Sequence, residues 1–183
     1  KVEQFDTIGF IAGGSGITPV LQTARALLED TTVKGIKISI LYANRTDADI
    51  LCHDTLKQID ELPNVHVWYT LDQPPDNWSY SSGFIDEAMV RNHLPAPGPK
   101  TYIFCCGPPP MINFACKPNL EKVGHAASND CAGLRVGGKD SMSPAHTHLH
   151  RAAVNAELER PRWSTSPPEW LCRSEGLANM AAP

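Results

Sequence analysis

Four short apolar runs between residues 7 and 123 constrain the fold of this chain more than any other feature. The runs are TIGFIAG, IKISILYAN, VHVWYTL and TYIFCC, and the helical segments that follow them are TPVLQTARALLED, DADILCHDTLKQI, FIDEAMVRNHL and MINFACKPNLEKV. Runs such as IKISILYA and YIFCC are apolar almost throughout, which is typical of parallel strands covered on both faces. This alternation predicts a doubly wound α/β domain, in which helices lie on both sides of a parallel sheet.

The composition changes after His125. The segment from 126 to 183 contains no Ile, Phe or Tyr, and so has too few large apolar side chains to form a core. We therefore expect a domain over residues 1–125 and a divergent, disordered tail over 126–183. Histidines alternate in HTHLH at 146–150, but no cysteine or carboxylate is spaced to complete a site for Zn²⁺ or a similar ion. We interpret them as a chance cluster and predict no metal site.

Charge and cysteine content narrow the classes of partner. The formal net charge is −4, and no basic stripe is available to bind the phosphates of a nucleic acid. No apolar run approaches the roughly 18 to 20 residues of a membrane span. The six cysteines include no CxxC pair, so we expect free, mostly buried thiols. Because the first residue is Lys1 rather than Met, we expect a chain cut from a longer one, in which an upstream targeting segment would not be visible.

A glycine cluster, GFIAGGSGITPV at residues 9–20, lies where the first strand gives way to the first helix. Gly13, Gly14 and Gly16 permit unusual backbone angles and let a ligand approach the main chain. Thr18 is suited to cap the helix, and Pro19 is suited to its first turn. The helix N-terminus would then offer a site for an anion such as a pyrophosphate. Because the spacing is GxGxxP and not GxGxxG, a plain turn with glycines for packing stays open.

A second loop, CCGPPPMI at residues 105–112, follows the fourth strand and begins the fourth helix. Ligands of open parallel sheets bind beyond the carboxyl ends of the strands, so this loop and the glycine cluster are predicted to converge on one crevice. Cys106 would end the strand there, before Gly107. A buried thiol without a role is the alternative, and covalent attack is disfavoured because the pattern places no base near it.

Six motifs along the chain resemble those of one flavoenzyme family. They are GGSGITP, YANRT, WYTLD, WSYSSGF, CGPPPMI and PNLEKVGH, and they extend from about residue 8 to 125. In this order they resemble the NADH-binding lobe of the NADH-cytochrome b5 reductases, which are ferredoxin-reductase-like flavoenzymes. The reductase lobe of eukaryotic nitrate reductases is similar. The resemblance implies that a hydride passes from NADH to FAD, and that single electrons then pass to a haem protein such as cytochrome b5.

The resemblance also implies roles for individual residues. Cys106 would hold the C4 face of the nicotinamide toward the flavin, as a positioning group and not a nucleophile. The remaining residues that it assigns to the cofactor are Gly13, Gly14, Ser15, Gly16, Thr18, Pro19, Asn44, Arg45, Asp72, Phe84, Gly107, Pro108 and Met111.

Two charged residues bear on the choice between NADH and NADPH. Asp72 matches a family position associated with NADH, because a carboxylate there would repel a 2'-phosphate. Arg45 acts in the opposite direction, since a guanidinium near the adenine ribose would attract that phosphate. We expect NADH to be preferred. The alternatives are a solvated loop charge for Arg45, a turn residue for Asp72 and ordinary core packing for Phe84.

The chain departs from the family in two places. The Arg-x-Tyr-(Ser/Thr) motif of the flavin lobe is absent, so we expect no bound flavin and no electron transfer by this polypeptide alone. After His125, no aromatic closing strand like that of the family follows.

The whole protein is expected on the cytosolic side, associated with a membrane through an upstream anchor. A nitrate reductase lobe and a non-catalytic nucleotide-binding isoform remain alternatives.

Overall fold

The computed structural model describes residues 6–30, 35–125 and 132–133. The strands are β1 (Thr7–Gly13), β2 (Lys37–Asn44), β3 (Val65–Leu71), β4 (Ser81–Ser82), β5 (Thr101–Cys106) and β6 (Ala132–Gly133). The α-helices are α1 (Ile17–Glu29), α2 (His53–Asp60), α3 (Glu87–His93), α4 (Pro109–Met111) and α5 (Lys117–Val123). A π-helical turn, Ile112–Cys116, joins α4 to α5, and 3₁₀ turns span Gly14–Gly16 and Asp47–Asp49. None of these described helices is both long and apolar enough to cross a membrane.

All strand pairs in the sheet are parallel, and the strand order is β4-β3-β2-β1-β5-β6. The chain therefore moves outward from β1 to β4 and then returns to the other side of β1. This reversal creates a switch point between β1 and β5, where the loops beyond the two strands face each other. The predicted parallel sheet is confirmed, and the switch point lies between the two loops that the sequence singled out.

Helices cover both faces of the sheet, as the sequence predicts. Successive strand residues point to opposite faces, so Phe10 and Ile11 of β1 belong to different cores. Phe10 packs in a cluster with residues of α1 and α2. Ile11 packs in a second cluster with residues of α3 and α5. Burial on both faces explains why the strands carry so few polar residues.

The structure has two short strands beyond the four that the apolar runs predict. β4 lies in the segment of residues 73–83 that follows β3, and the Gly83 N–H just after it donates to the Leu71 carbonyl over 2.8 Å. β6 pairs with β5 at Phe104 and Cys105, so regular structure continues past residue 125, the predicted end of the domain. The rest of the predicted tail, including the histidines at 146–150, lies outside the described residues.

The second helical segment is divided, although its periodicity predicts one helix over 47–59. A 3₁₀ turn covers Asp47–Asp49, and α2 begins only at His53. Between them Cys52 adopts a left-handed backbone conformation with φ of 55°. The Leu51 N–H donates to the hydroxyl of Tyr42 over 3.3 Å and not to a helical carbonyl. A tertiary hydrogen bond therefore interrupts the helix.

An aromatic stack joins the end of α3 to β3. The rings of Trp68 and His93 lie 3.8 Å apart and nearly parallel, and the His66 ring lies 5.9 Å from that of His93. Burial lowers the pKa of His93, and the neighbouring His66 imidazole lowers it further. His66 itself faces the Asp60 carboxylate at 4.0 Å. The folded state thus favours the neutral form of His93.

We expect acidification to destabilise the domain through His93. Its folded-state pKa lies below the ordinary 6.5, so the unfolded chain binds this proton more readily than the folded chain does. The resulting stabilisation is complete above the unfolded-state pKa of about 6.5 and is lost as the pH falls below it, through the lower folded-state pKa. Urea unfolding at about pH 7.5 and about pH 5.5 should show a smaller loss of unfolding free energy for His93→Gln than for the unsubstituted chain.

The control for this prediction is His53→Gln. His53 contacts Tyr69 on the face of the sheet opposite to Trp68, so its replacement removes an imidazole without touching the stack. Equal pH dependence in His93→Gln and the unsubstituted chain would contradict the role of His93.

Candidate functional site

The glycine loop and the loop after β5 meet backbone to backbone. A Cβ placed on Gly16 would lie 2.1 Å from the carbonyl oxygen of Cys106, far inside any non-bonded contact distance. A Cβ on Gly107 would lie 3.2 Å from the Cα of Gly13. The register that places Ala12 beside Cys106 across β1 and β5 brings these loops together. The two loops therefore converge at the switch point, and their contact depends on the absence of side chains at Gly16 and Gly107; a ligand crevice there stays a prediction.

Pro108 and Met111 close one side of this contact. A Cβ on Gly13 would lie 2.6 Å from the Met111 sulfur and 3.1 Å from Cδ of Pro108. A Cβ on Gly107 would lie 2.5 Å from the Met111 methyl carbon. The thioether thus packs directly on both glycines, which suits a flexible and polarizable side chain. Met111 and Pro108 therefore border the contact between the two loops, and their role at a cofactor stays a prediction.

The N-terminus of α1 differs from the prediction for Thr18. The residue at the cap position is Gly16, and no side chain caps the helix. Thr18 lies within the first turn, where its hydroxyl donates to the Ser15 carbonyl over 3.0 Å, so the predicted capping role is wrong. The 3₁₀ turn Gly14–Gly16 leads directly into the helix and leaves no position for a side-chain cap. Because no side chain occupies the N–H groups, this end of the helix fits an anion.

Cys106 ends β5 at the crevice and is half-buried. Burial raises the pKa of its thiol above the ordinary 9.0, so the sulfur is protonated at neutral pH. A protonated thiol is a poor nucleophile. The protonated thiol of Cys106 agrees with the positioning role that the family resemblance implies, and it disfavours covalent attack.

The loops after β2 and β3 lie side by side. The Asp72 N–H donates to the Asn44 carbonyl over 3.1 Å, and the Gln73 N–H donates to the Arg45 carbonyl over 2.8 Å. The Asn44 side chain is buried, yet neither of its polar atoms has a hydrogen-bond partner of ordinary geometry in the described part of the chain. A buried amide costs free energy unless it is paired. Asn44 is thus a group that a polar ligand could satisfy.

Asp49 adds a carboxylate that the sequence reasoning missed. Its Oδ2 accepts from the Thr46 hydroxyl over 2.7 Å and from the Thr46 N–H over 3.0 Å. These hydrogen bonds, with a smaller contribution from the Arg45 guanidinium, lower the pKa of Asp49. The T-x-x-D spacing of a capping motif was the available signal. The region beyond β2 and β3 therefore carries exposed Asp49 and Asp72 around Arg45.

Phe84 is 79 % exposed, so core packing is the wrong interpretation of this residue. It follows β4 and Gly83, whose φ of +86° turns the chain at that point. In the strand order, β4 lies at the far side of β3 and β2 from β1. The next residue, Ile85, packs in the core cluster of Ile11 and Ile103, and its carbonyl accepts from the Asn119 amide over 3.0 Å, so a role for the exposed Phe84 ring at a nucleotide stays a prediction.

Tyr42 is a site residue that the sequence reasoning did not identify. Its side chain is fully buried in β2, and its hydroxyl donates to the Gly14 carbonyl over 2.9 Å. Burial raises the pKa of this hydroxyl, and the nearby Leu51 N–H and Asn44 amide oppose that effect only in part. The signal in the sequence was a tyrosine in an aliphatic strand, since a buried tyrosine usually needs a hydrogen-bond partner.

No group of three or more His, Cys, Asp or Glu side chains that could hold a metal ion is found within the described ranges.

Residues 10–117 match the model of the family described as "Oxidoreductase NAD-binding domain". Over 129 residues the chain is 50% identical to NADH-cytochrome b5 reductase 3 of Rattus norvegicus, covering 68% of this chain and 42% of that protein. It is 47% identical over 124 residues to NADH-cytochrome b5 reductase 1 of Homo sapiens, covering 65% of this chain and 39% of the relative.

Among solved structures, the cytochrome b5 reductase domain of Ulva prolifera nitrate reductase is similar, with a TM-score of 0.68 and 41% identity. The match covers 71% of this chain and 50% of that one. The CS-b5R domains of human Ncb5or share the fold, with a TM-score of 0.63 at 19% identity. The chain spans about two fifths of the length of the curated relatives cited here.

The backbone contact predicts a large effect of Gly16→Ala. Because the added Cβ would overlap the Cys106 carbonyl oxygen, the two loops must separate, at a cost of about 1–3 kcal/mol in unfolding free energy. Urea unfolding measures the loss. Gly98→Ala is the matched control, since its Cβ would meet only the Thr101 hydroxyl, at 3.3 Å. Equal stability of the two variants would show that the loops do not depend on this contact.

Proposed function

Because the chain belongs to the oxidoreductase NAD-binding domain family, we propose that it is the NADH-binding lobe of an NADH-cytochrome b5 reductase. In this proposal a hydride passes from NADH to FAD, and electrons then pass singly to cytochrome b5 or a similar haem protein. The observation that supports it best is the glycine contact at the switch point, which lies beside an uncapped helix N-terminus. In this proposal the chain binds the NADH, and the FAD is bound by another part of the protein.

The pyrophosphate would bind at the start of α1. Gly14 and Ser15 precede the helix in the 3₁₀ turn, and the Ser15 side chain is exposed. The uncapped N–H groups and the positive end of a 13-residue helix stabilise negative charge there. The side-chain hydroxyl of Ser15 would provide a further donor to a phosphate oxygen.

The nicotinamide would lie against the loop after β5. The protonated thiol of Cys106 and the rigid turn at Gly107 and Pro108 orient the ring without competing for it as a base or nucleophile. FAD, held outside residues 1–183, would accept the hydride and pass single electrons onward. The residues of this chain orient the nicotinamide ring. The half-buried, protonated Cys106 adds no charge beside that ring.

The adenosine would lie beyond β2 and β3. Asp49 and Asp72 are exposed there, and part of the Arg45 charge acts on Asp49. A 2'-phosphate would meet two carboxylates, whereas a 2'-hydroxyl could donate to either of them. The buried amide of Asn44 offers a further partner at this end. The arrangement favours NADH over NADPH.

A second candidate is the reductase lobe of a nitrate reductase, which the structural match to the Ulva prolifera domain favours. The chemistry is the same in both proposals, and the domains that would precede this lobe differ. For the reductase acting on cytochrome b5, we propose a position on the cytosolic side of a membrane through an anchor outside this chain. A non-catalytic nucleotide-binding isoform is the alternative from a different class.

Titration of the 183-residue chain tests the nucleotide proposal. NADH should give saturable binding by calorimetry, and NADPH should bind at least about tenfold more weakly because of the repelled 2'-phosphate. Asp72→Asn should reduce the difference between the affinities for NADH and NADPH, because it weakens the repulsion of the 2'-phosphate. Asp76→Asn is the control, because Asp76 is an exposed carboxylate on the same loop. An absence of saturable NADH binding would reject the proposal, and equal affinities for both nucleotides would reject only the specificity.

Activity of the full-length gene product tests the reductase proposal. It should contain FAD and reduce ferricyanide with NADH far faster than with NADPH. A product that binds NADH but lacks flavin and ferricyanide reduction would support the non-catalytic isoform. The sequence upstream of this lobe separates the main proposal from the nitrate reductase candidate, because a cytochrome b5 domain and a molybdopterin domain would precede the lobe in a nitrate reductase.

A further inference from the structure

Resting on the proposed NADH site, we infer that Tyr42 is a positioning residue whose hydroxyl couples the pyrophosphate loop to the adenosine loop. The hydroxyl donates to the Gly14 carbonyl over 2.9 Å and accepts from the Leu51 N–H over 3.3 Å. The side chain is fully buried in β2. One oxygen therefore joins the glycine loop to the loop that follows β2, defined as residues 45–52.

The bond to Gly14 fixes the direction of the next peptide group. In a trans peptide the carbonyl and the following N–H point in opposite directions. Because the Gly14 carbonyl points to the buried hydroxyl of Tyr42, the Ser15 N–H points away from β2. Gly14 has φ of +53° and no atom within 4 Å of a Cβ placed there, and its carbonyl also accepts from the Ile17 N–H that closes the 3₁₀ turn. The Tyr42 hydroxyl therefore adds a second hydrogen bond, from outside the loop, to the carbonyl that orients this donor for the pyrophosphate.

The bond from Leu51 fixes the end of the second loop. It stands immediately before Cys52, whose left-handed φ of 55° turns the chain into α2. The same loop begins with Arg45 and contains the hydrogen-bonded pair Thr46 and Asp49. Residues proposed to face the adenosine are thus attached to the residue that orients the pyrophosphate loop. Movement of either loop on binding is transmitted to the other through one hydroxyl group.

Tyr42→Phe tests the inference, because it removes only the oxygen. The matched control is Tyr69→Phe, since Tyr69 is buried in the neighbouring strand and belongs to the same core cluster. The dissociation constant for NADH should rise about fivefold in Tyr42→Phe, the effect of one neutral hydrogen bond. In Tyr69→Phe it should change by about twofold or less. Equal effects of the two variants would overturn the positioning role.

Amide NMR of the 183-residue chain provides a readout that general destabilisation would not move. In the unsubstituted chain, the Leu51 amide should exchange slowly, and addition of NADH should shift its resonance together with that of Ser15. In Tyr42→Phe, Leu51 should exchange faster and lose the NADH-induced shift, while the Ser15 shift remains. A rapidly exchanging Leu51 amide in the unsubstituted chain would overturn the bridge without any variant.

The outcomes separate the two proposals. If the unsubstituted chain does not bind NADH, the proposed function fails and the coupling role fails with it, whatever the exchange of Leu51. If the chain binds NADH but the Leu51 resonance does not respond, the function stands and the coupling is wrong. Thermal unfolding of both tyrosine variants checks that any loss of affinity is not a loss of folded protein.

Discussion

The close approach of Gly16 to the Cys106–Gly107 peptide is the constraint on which the rest of the site depends. It follows from the pairing of β1 with β5, because the two strands end together and their loops must leave the sheet in the same space. A side chain at Gly16 would fill that space. The glycines therefore allow the strands to end side by side and bring the main chains of the two loops into direct contact.

The sequence predicts the architecture well because the apolar pattern depends on burial alone. Strands covered on both faces must be apolar over most of their length, and β2 and β5 are buried at most of their positions. The contact between the loops was also predictable, since the switch point of such a sheet is a property of its topology. The role of Thr18 was not predictable, because a 3₁₀ turn took the cap position. The division of the second helix depends on the Tyr42 hydroxyl, which is a contact distant in sequence.

The helix after β5 shows how the site and the core share one segment. Met111 must lie on Gly13 and Gly107, whereas Cys116 and Leu120 must enter the core beside Ile103. A uniform α-helix fixes the angle between these positions. The π-helical turn at Ile112–Cys116 lies between Met111 and Leu120. It changes the angle about the helix axis between these two side chains. Such turns often occur at functional sites. The prolines at the start of α4 have no N–H group, and the first N–H groups of a helix have no acceptor within it. The helix therefore begins there without losing a hydrogen bond.

The two ends of the crevice use different physical effects. Around Cys106 the groups are neutral: a protonated thiol, a thioether and proline rings. Around Arg45 the groups are charged, with Asp49 and Asp72 exposed beside it. Charge discriminates well between a hydroxyl and a phosphate, because the free energy of the phosphate depends strongly on nearby carboxylates. The proposed hydride transfer has no such need, since the reacting carbon must be placed in the correct orientation and protected from competing groups. In this proposal, selection at the charged end and placement at the neutral end require a fixed distance between them, and the Tyr42 hydroxyl bonds both the glycine loop and the loop of residues 45–52.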